Sequence, residues 1–244
     1  MEAARVAALR GHQVILYEKE PRLGGQLIQA AVPPYKNGIE VLNEYLQTQL
    51  KKLRVQVKVG EELTVQKAEQ IKPDDVIVAT GARPIIPNIL GVNGQNVVTA
   101  LEVLSGTRAV GKRVIIVGGG QVGCETAEFL ADNGKKVTIL EMLWEIGTDM
   151  LSIRRPFVIR RLNQAGIMME TRVEITDKGV TATHNGALKF FEGDTVVLAV
   201  GMESETKAQW LRARLPSVHL VGDVVKPRTV GEAMAEGYLV GLKM

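Results

Sequence analysis

Apolar positions along the chain follow two different periods. Five short runs are almost continuously aliphatic: Val14-Ile15-Leu16-Tyr17, Val76-Ile77-Val78-Ala79, Val114-Ile115-Ile116-Val117, Val137-Thr138-Ile139-Leu140 and Val196-Val197-Leu198-Ala199. The run Val114 to Val117, short and β-branched, predicts a buried strand of a parallel sheet, and the others predict strands. Between them the period lengthens. Ala127, Leu130 and Ala131 lie on one face of a helix predicted over Cys124 to Asn133, with Gly134 as its stop. Ile39, Leu42, Leu46 and Leu50 form the core stripe of a second helix, Gly38 to Leu53, and a strand follows near Val55 to Val59. Strands alternating with helices predict an α/β fold.

The turn after the third run is the most informative stretch. Gly118-Gly119-Gly120-Gln121-Val122-Gly123 fits the spacing GxGxxG, and it stands between a strand and a helix. In that context the first glycine permits the tight turn. The second lets backbone approach a pyrophosphate, and the third lets the helix pack closely on the sheet. The helix N-terminus offers free N–H groups and partial positive charge to phosphate. Glu141 closes the next strand, 23 residues beyond Gly118. A carboxylate at that distance accepts both hydroxyls of an adenosine ribose. A 2′-phosphate would meet like charge there, and Met142, Leu143 and Trp144 follow without an Arg or Lys. NAD(H) is therefore expected over NADP(H).

The chain repeats itself. Shifted by 123 residues, Met1 falls on Cys124, and Glu2/Glu125, Ala4/Ala127, Ala8/Ala131, Gly11/Gly134, Val14/Val137, Glu18/Glu141 and Gly24/Gly147 are identical pairs. At a shift of 120 residues, Asp74 to Gly81 resembles Asp194 to Gly201. Two dinucleotide-binding units of one design are expected. The first begins after the point where its opening strand and glycine turn would lie. Met1 is accordingly expected to be an internal residue of a longer protein, the strands beside the gap to have free edges, and this chain to retain flavin poorly.

Composition removes other classes. Lys and Arg number 30 against 27 Asp and Glu, and a net charge of +3 spread along the chain does not indicate a nucleic-acid or membrane surface. One cysteine excludes an internal disulfide, a CxxC pair and a thiolate-held cluster within the chain. No apolar run reaches the roughly 18 residues of a membrane span. The first residues have no signal-peptide core, so a cytoplasmic location is expected. The composition leaves a homo-oligomer open.

Leu23-Gly24-Gly25-Gln26-Leu27, Ala79-Thr80-Gly81-Ala82-Arg83-Pro84, Gly118 to Phe129 and Gly222-Asp223 with Glu232-Ala233 follow one another in a specific order. Across essentially the whole chain this order resembles the C-terminal module of the NADH:flavin oxidoreductases of the 2-enoate reductase, 2,4-dienoyl-CoA reductase and trimethylamine dehydrogenase group, within the flavoproteins that have two dinucleotide-binding domains. The resemblance implies two Rossmann-like domains, with residues 89–212 as an NAD domain inserted into an FAD domain of residues 1–88 and 213–244. It also implies a partner barrel, domain or subunit, that carries FMN and a 4Fe–4S cluster. Electrons would run from NADH to FAD, then through the cluster and FMN to an activated alkene such as an enoate or enoyl-CoA.

Carried over by position, Glu18 would bind the ribose of the FAD adenosine, and Gly24, Gly25 and Gln26 would approach its flavin side. Ala79, Thr80 and Gly81 would pass close to the cofactor. Gly222 would admit its pyrophosphate, Asp223 would accept a ribityl hydroxyl, and the helix starting near Thr229-Val230 would aim its N-terminus at the flavin pyrimidine. Gly118, Gly119, Gly120, Val122, Gly123 and Glu141 would hold NAD, with Gly201 leaving room beside the nicotinamide. Hydride transfer requires no acid or base from the protein, so no catalytic side chain and no metal ligand is assigned.

Some members of the group hold only ADP as a structural ligand. Glu18 and Glu141 do not separate that binding module from an electron-entry enzyme, whereas Gln26, Asp223 and the helix near Val230 favour FAD. A thioredoxin-reductase-like reading fails for want of a dithiol. Cys124 reads as a small packing residue, the three histidines as ordinary, Arg154, Arg155, Arg160 and Arg161 as a solvated helix face, and Met142, Met150, Met168 and Met169 as core filling.

Overall fold

The computed structural model describes residues 1–89, 91–175, 181–184, 187–205, 212–215 and 217–244. In chain order the elements are α1 (Glu2–Leu9), β1 (Ile15–Glu18), α2 (Gln26–Ala30), α3 (Asn37–Lys52), β2 (Gln56–Val59), α4 (Val65–Ile71), β3 (Val76–Val78), β4 (Ala82–Pro84), β5 (Val97–Thr99), α5 (Ala100–Ser105), β6 (Arg113–Val117), α6 (Gln121–Asp132), β7 (Lys136–Leu140), α7 (Arg155–Gln164), β8 (Met168–Glu170), β9 (Val173–Ile175), β10 (Thr181–His184), β11 (Ala187–Phe190), β12 (Thr195–Leu198), β13 (Met202–Ser204), β14 (Val218–Leu220) and α8 (Val230–Lys243). The chain divides into two compact units. One comprises Met1–Ile28, Asn37–Arg83 and Met202–Met244, and the other Gln29–Lys36 and Pro84–Gly201.

The second unit is built on a five-stranded parallel sheet in the order β5-β12-β6-β7-β8. β6 lies in its middle, bonded to β12 on one edge and β7 on the other, in a register that sets Ile116 beside Ile139 and Val197. Val114 and Ile116 face one core cluster and Ile115 another, so both faces of β6 are covered, which is why its sequence is a continuous apolar run instead of an alternation. Ile116, Ile139, Val197, Cys124, Ala127, Val158 and Leu162 have no exposed surface and form one core with α6 and α7. Each large aliphatic side chain buried this way contributes about 1.5–3 kcal/mol. Ile115 and Leu140 face a smaller cluster with Val173 and Phe191. A short antiparallel sheet, β11-β10-β9, adjoins that side. α5 opens on a reciprocal cap. Thr99 Oγ1 accepts the Glu102 N–H at 3.2 Å, and Glu102 Oε2 accepts the Thr99 N–H at 2.7 Å.

The first unit has two parallel strand pairs, β1 with β2 and β3 with β14. The remaining edges of β1 and β3 take no strand partner among the described residues. Leu50 and Val55 pack with Ala4 and Leu23 under α3, and α1 lies along α8. That approach depends on Gly241, where a Cβ would come within 2.7 Å of Val6 Cβ. Among the described residues no helix is long and apolar enough to cross a membrane.

Two expectations need correction. α6 begins at Gln121, three residues before Cys124, because Gly120 is its N-cap and Gly123 already has helical neighbours. Met150 and Met169 line the core, but Met142 is largely exposed and Met168 half-exposed, the first lying in the turn beyond β7 and the second at the start of the edge strand β8. His219 lies at the β3–β14 pair, its Nε2 3.1 Å from both Asp75 Oδ1 and Ser217 Oγ. The side chain of His184 lies outside the described residues.

Candidate functional site

The second unit's distinctive corner is the turn from β6 into α6. Gly118 has φ +104°, and a Cβ there would meet Ala199 O at 2.4 Å, so neither the dihedral nor the space admits a side chain. Its N–H donates to Leu140 O at 2.9 Å, tying the turn to the end of β7. Gly123 sits one helical turn on, where a Cβ would be 1.9 Å from Gly118 O. The helix therefore rests directly on the turn. Gly120 is the N-cap, so the first N–H groups of α6 have no acceptor within the helix. Val122 is exposed in that first turn.

Two carboxylates converge on this corner. Glu141, immediately after β7, is buried; its Oε2 accepts the Gly119 N–H at 2.6 Å and its Oε1 the Leu143 N–H at 2.8 Å. Asp149 accepts the Gln121 N–H with both oxygens, at 2.8 and 3.0 Å. Gly201 follows β12, where its carbonyl accepts the Ile85 N–H at 3.0 Å and a Cβ would lie 3.4 Å from Ile85 Cδ1. Beyond Glu141 the chain places an exposed stack, the Arg172 guanidinium 3.5 Å from the centre of the Trp144 ring. The sequence has no basic residue next to Glu141, but in space one stands beside Trp144.

Farther along α6, Glu125 and Glu128 are both paired. Glu125 accepts from Lys36 Nζ at 2.6 Å and Arg154 Nη2 at 2.8 Å, and Glu128 from Arg161 Nε at 2.5 Å. Arg161 lies over the Tyr35 ring, and Arg155 pairs with Glu145 and donates to Ile146 O. This corrects the reading of the basic run as a solvated face. Three of its four arginines are held by carboxylates, two of those on α6. Cys124 is enclosed at the same helix start. Burial, reinforced by the surrounding carboxylates, pushes its thiol up to about 12. At pH 8 only about one thiol in 10,000 is then thiolate. We expect Cys124 to resist iodoacetamide in the native protein and to react within minutes in 6 M guanidinium. Fast native labelling, followed by mass spectrometry, would contradict the packing role.

In the first unit the predicted residues fall into one bonded group and one outlier. Gly24 has φ +132°, and a Cβ there would come within 2.8 Å of Asn43 Nδ2 and 2.9 Å of Ile28 Cγ1. Gly25 follows it, with open space where a Cβ would lie. Gln26 Nε2 donates to Ala82 O at 3.0 Å, next to Ala79-Thr80-Gly81 at the end of β3. Gly81 O accepts the Glu205 N–H at 3.1 Å, and Ser204 Oγ donates to Asp223 O at 2.8 Å. The turn at Gly24, the stretch 79–81 and Gly222-Asp223 are thus joined by a chain of hydrogen bonds. Asp223 accepts the Arg228 N–H at 3.1 Å, and burial raises its carboxyl above the ordinary range. Gly222 donates to Glu236 Oε2 at 2.7 Å. Val230 opens α8 after Thr229, whose N–H donates to Glu232 Oε2 at 2.9 Å. Glu18 stands apart from this group at the end of β1, its Oε1 accepting the Glu20 N–H at 3.0 Å.

Sequence reasoning missed Asp149, Asn43 and Arg172. Asn43 Oδ1 is buried behind Gly24 with no hydrogen-bond partner. None of the three lies within a recognisable spacing of the residue it approaches. The reciprocal caps at Thr99/Glu102 and Thr229/Glu232 did carry a readable signal, Thr-x-x-Glu before a helix.

Residues 1–237 match the family described as pyridine nucleotide-disulphide oxidoreductase. The NADH oxidase of Thermoanaerobacter brockii is 38% identical over 251 residues, covering 98% of this chain and 38% of that protein. The cinnamate reductase of Clostridium sporogenes is 34% identical over 247 residues, covering 98% of this chain and 37% of that protein. Among solved structures, a 2-naphthoyl-CoA reductase in complex with 2-naphthoyl-CoA superposes with a TM-score of 0.96 at 30% identity, covering 100% of this chain and 38% of that one. The chain spans about two-fifths of the length of these relatives. With its parallel α/β architecture of Rossmann-like dinucleotide-binding type, the chain belongs to the pyridine nucleotide-disulphide oxidoreductases, a family of FAD- and NAD(H)-binding enzymes.

Proposed function

We propose that this chain is the electron-entry module of a larger flavoenzyme. It takes reducing equivalents from NADH through a domain of residues 89–212 and holds FAD on a domain of residues 1–88 and 213–244. Electrons then pass to an FMN and 4Fe–4S barrel that reduces an activated alkene. The relatives named as reductases of cinnamate and of 2-naphthoyl-CoA support that substrate class. The compartment proposed is the cytoplasm, where a lone buried thiol stays reduced.

The observation that carries this reading is the corner β6–Gly118–Gly123–α6 with Glu141 held 2.6 Å from the Gly119 nitrogen. The N–H groups of Gly119 and Gln121, held by Glu141 and Asp149, are the donors that a pyrophosphate would take over at the helix end. Glu141 is placed to exchange its backbone donors for ribose hydroxyls. Val122 and Gly201 leave the approach to the turn uncrowded. For FAD, the support is the hydrogen-bonded group of Gly24 to Gln26, Ala79 to Gly81 and Gly222-Asp223. The space at Gly25 and the unpartnered Asn43 Oδ1 fit a polar ligand at that turn. Glu18 would hold the adenosine ribose, and Val230 would start the helix aimed at the flavin. When bound, FAD supplies two-electron acceptance from NADH and onward transfer of the electrons, and the chain's residues supply position.

Replacing Glu141 with Gln puts an amide donor against one of two N–H donors and removes the charge. A charge-assisted hydrogen bond contributes about 1.5–3 kcal/mol, so Glu141→Gln is expected to weaken NADH binding about 10- to 100-fold. An unchanged fluorescence titration would remove Glu141 from the site. Cofactor released from the protein together with its barrel should be FAD. ADP alone would instead favour the structural-ligand reading.

A further inference from the structure

Both inward donors of the glycine corner are already engaged by the chain's own anions. Glu141 takes the Gly119 N–H, and Asp149 takes the Gln121 N–H with both oxygens. Glu141 has a ribose to receive it, but Asp149 has no such counterpart. Its Oδ2 fills the space over Gly120, where a Cβ would approach within 2.9 Å. That is the position through which a phosphate must reach the end of α6. Among the described residues, neither carboxylate has an ion-pair partner, in contrast to Glu125 and Glu128 farther along the helix.

The loop that carries Asp149 is braced on both sides. Gly147 donates to Gly119 O at 2.7 Å, Arg155 Nε donates to Ile146 O at 2.7 Å, and Ile146 and Met150 are buried in the core. Asp149 itself is exposed. The carboxylate can therefore leave the helix end by rotation about its own side-chain bonds while the loop backbone stays in place.

We propose that Asp149 is a tethered anion that competes with the dinucleotide pyrophosphate for the N-terminus of α6, and so sets the affinity of the site for NADH. This inference rests on the reading of the corner as the NAD site. An anion at a helix N-terminus is stabilised there, and a bound dinucleotide must first displace it. Once displaced, the carboxylate remains near two phosphates, so the penalty is electrostatic and falls with salt.

The test is a set of NADH fluorescence titrations on the 244-residue chain at low and high salt. Asp149→Ala is expected to tighten NADH about 3- to 10-fold at low ionic strength, with a smaller gain in 0.5 M salt. Asp149→Asn keeps an acceptor for the Gln121 N–H and loses only the charge, so it folds even if the alanine variant does not. Its expected gain is about 2- to 5-fold. Equal or weaker NADH binding in both variants, while Glu141→Gln still weakens it, would overturn the competition and leave the site standing. Absence of saturable NADH binding in wild type and variants alike would overturn the site reading and the competition with it.

Discussion

Gly123→Ala is expected to be the most damaging single substitution in the nucleotide corner. The added methyl would sit 1.9 Å from Gly118 O and 3.0 Å from Gly118 C, both backbone atoms of a turn that is itself pressed on Ala199 O. No flexible side chain can yield, so α6 must move out by about 1 Å or the turn must open. Either movement breaks the contact of Cys124 and Ala127 with the sheet, where both are fully enclosed. Overpacking of this kind costs about 3 kcal/mol. That corresponds to a fall of roughly 6–12 °C in Tm for a domain of this size. NADH binding should fall at least about 100-fold, because the donors of the corner move with the helix. Gly38→Ala is the control. It lies in the first turn of α3 with open space around it, and it should leave stability equal or higher by about 0.5–1 kcal/mol. A Gly123→Ala protein with wild-type Tm and wild-type NADH affinity would refute the close seating of α6 on its turn.

The corner was legible in the sequence because everything that makes it is local. A β-branched run, spaced glycines, a helix period and a terminal acid all fall between Arg113 and Glu141, and each is dictated by a backbone requirement of its own. The internal repeat was legible for the same reason, since both copies keep their helix, stop and strand at one spacing. What could not be read depends on distant partners. Asp149 reaches Gln121 across 28 residues, through a loop whose path is set by Ile146 and Met150 entering the core. Strands β8 to β11 are three or four residues long and carry little periodicity, so nothing in their sequence separates them from loop. Arg172 comes beside Trp144 only because the stretch between β8 and β9 folds back, its N–H donating to Leu143 O at 3.0 Å. The octapeptide Gln29–Lys36 belongs with the second unit although sequence neighbours on both sides belong with the first. No composition change marks it, and two of its side chains, Tyr35 and Lys36, reach partners, Arg161 and Glu125, more than eighty residues away.

That attachment gives the second large expected effect. Glu125 Oε1 lies 2.6 Å from Lys36 Nζ and 2.8 Å from Arg154 Nη2, with Glu125 and Lys36 side chains only 9% and 11% exposed. A buried ion pair adds little net stability compared with apolar residues of equal volume, but removal of one member strands the other. The two members are not equivalent here. Lys36→Met leaves Glu125 with Arg154, so the expected cost is about 1 kcal/mol. Glu125→Leu leaves the Lys36 ammonium enclosed with no partner, and the expected cost is about 3 kcal/mol, a drop of roughly 1–2 M in the urea midpoint. Arg154 is one-third exposed and can turn to water, so it adds little to that penalty. The double variant Lys36→Met/Glu125→Leu removes both charges together and should recover to within about 1 kcal/mol of wild type. The double variant is then more stable than Glu125→Leu alone, an ordering that additive losses cannot produce. Urea melts of the four proteins decide it. Strictly additive costs would mean that Lys36 reaches solvent when Glu125 is lost, and that Gln29–Lys36 is held by the stack of Tyr35 on Arg161 of α7 instead of by this ion pair.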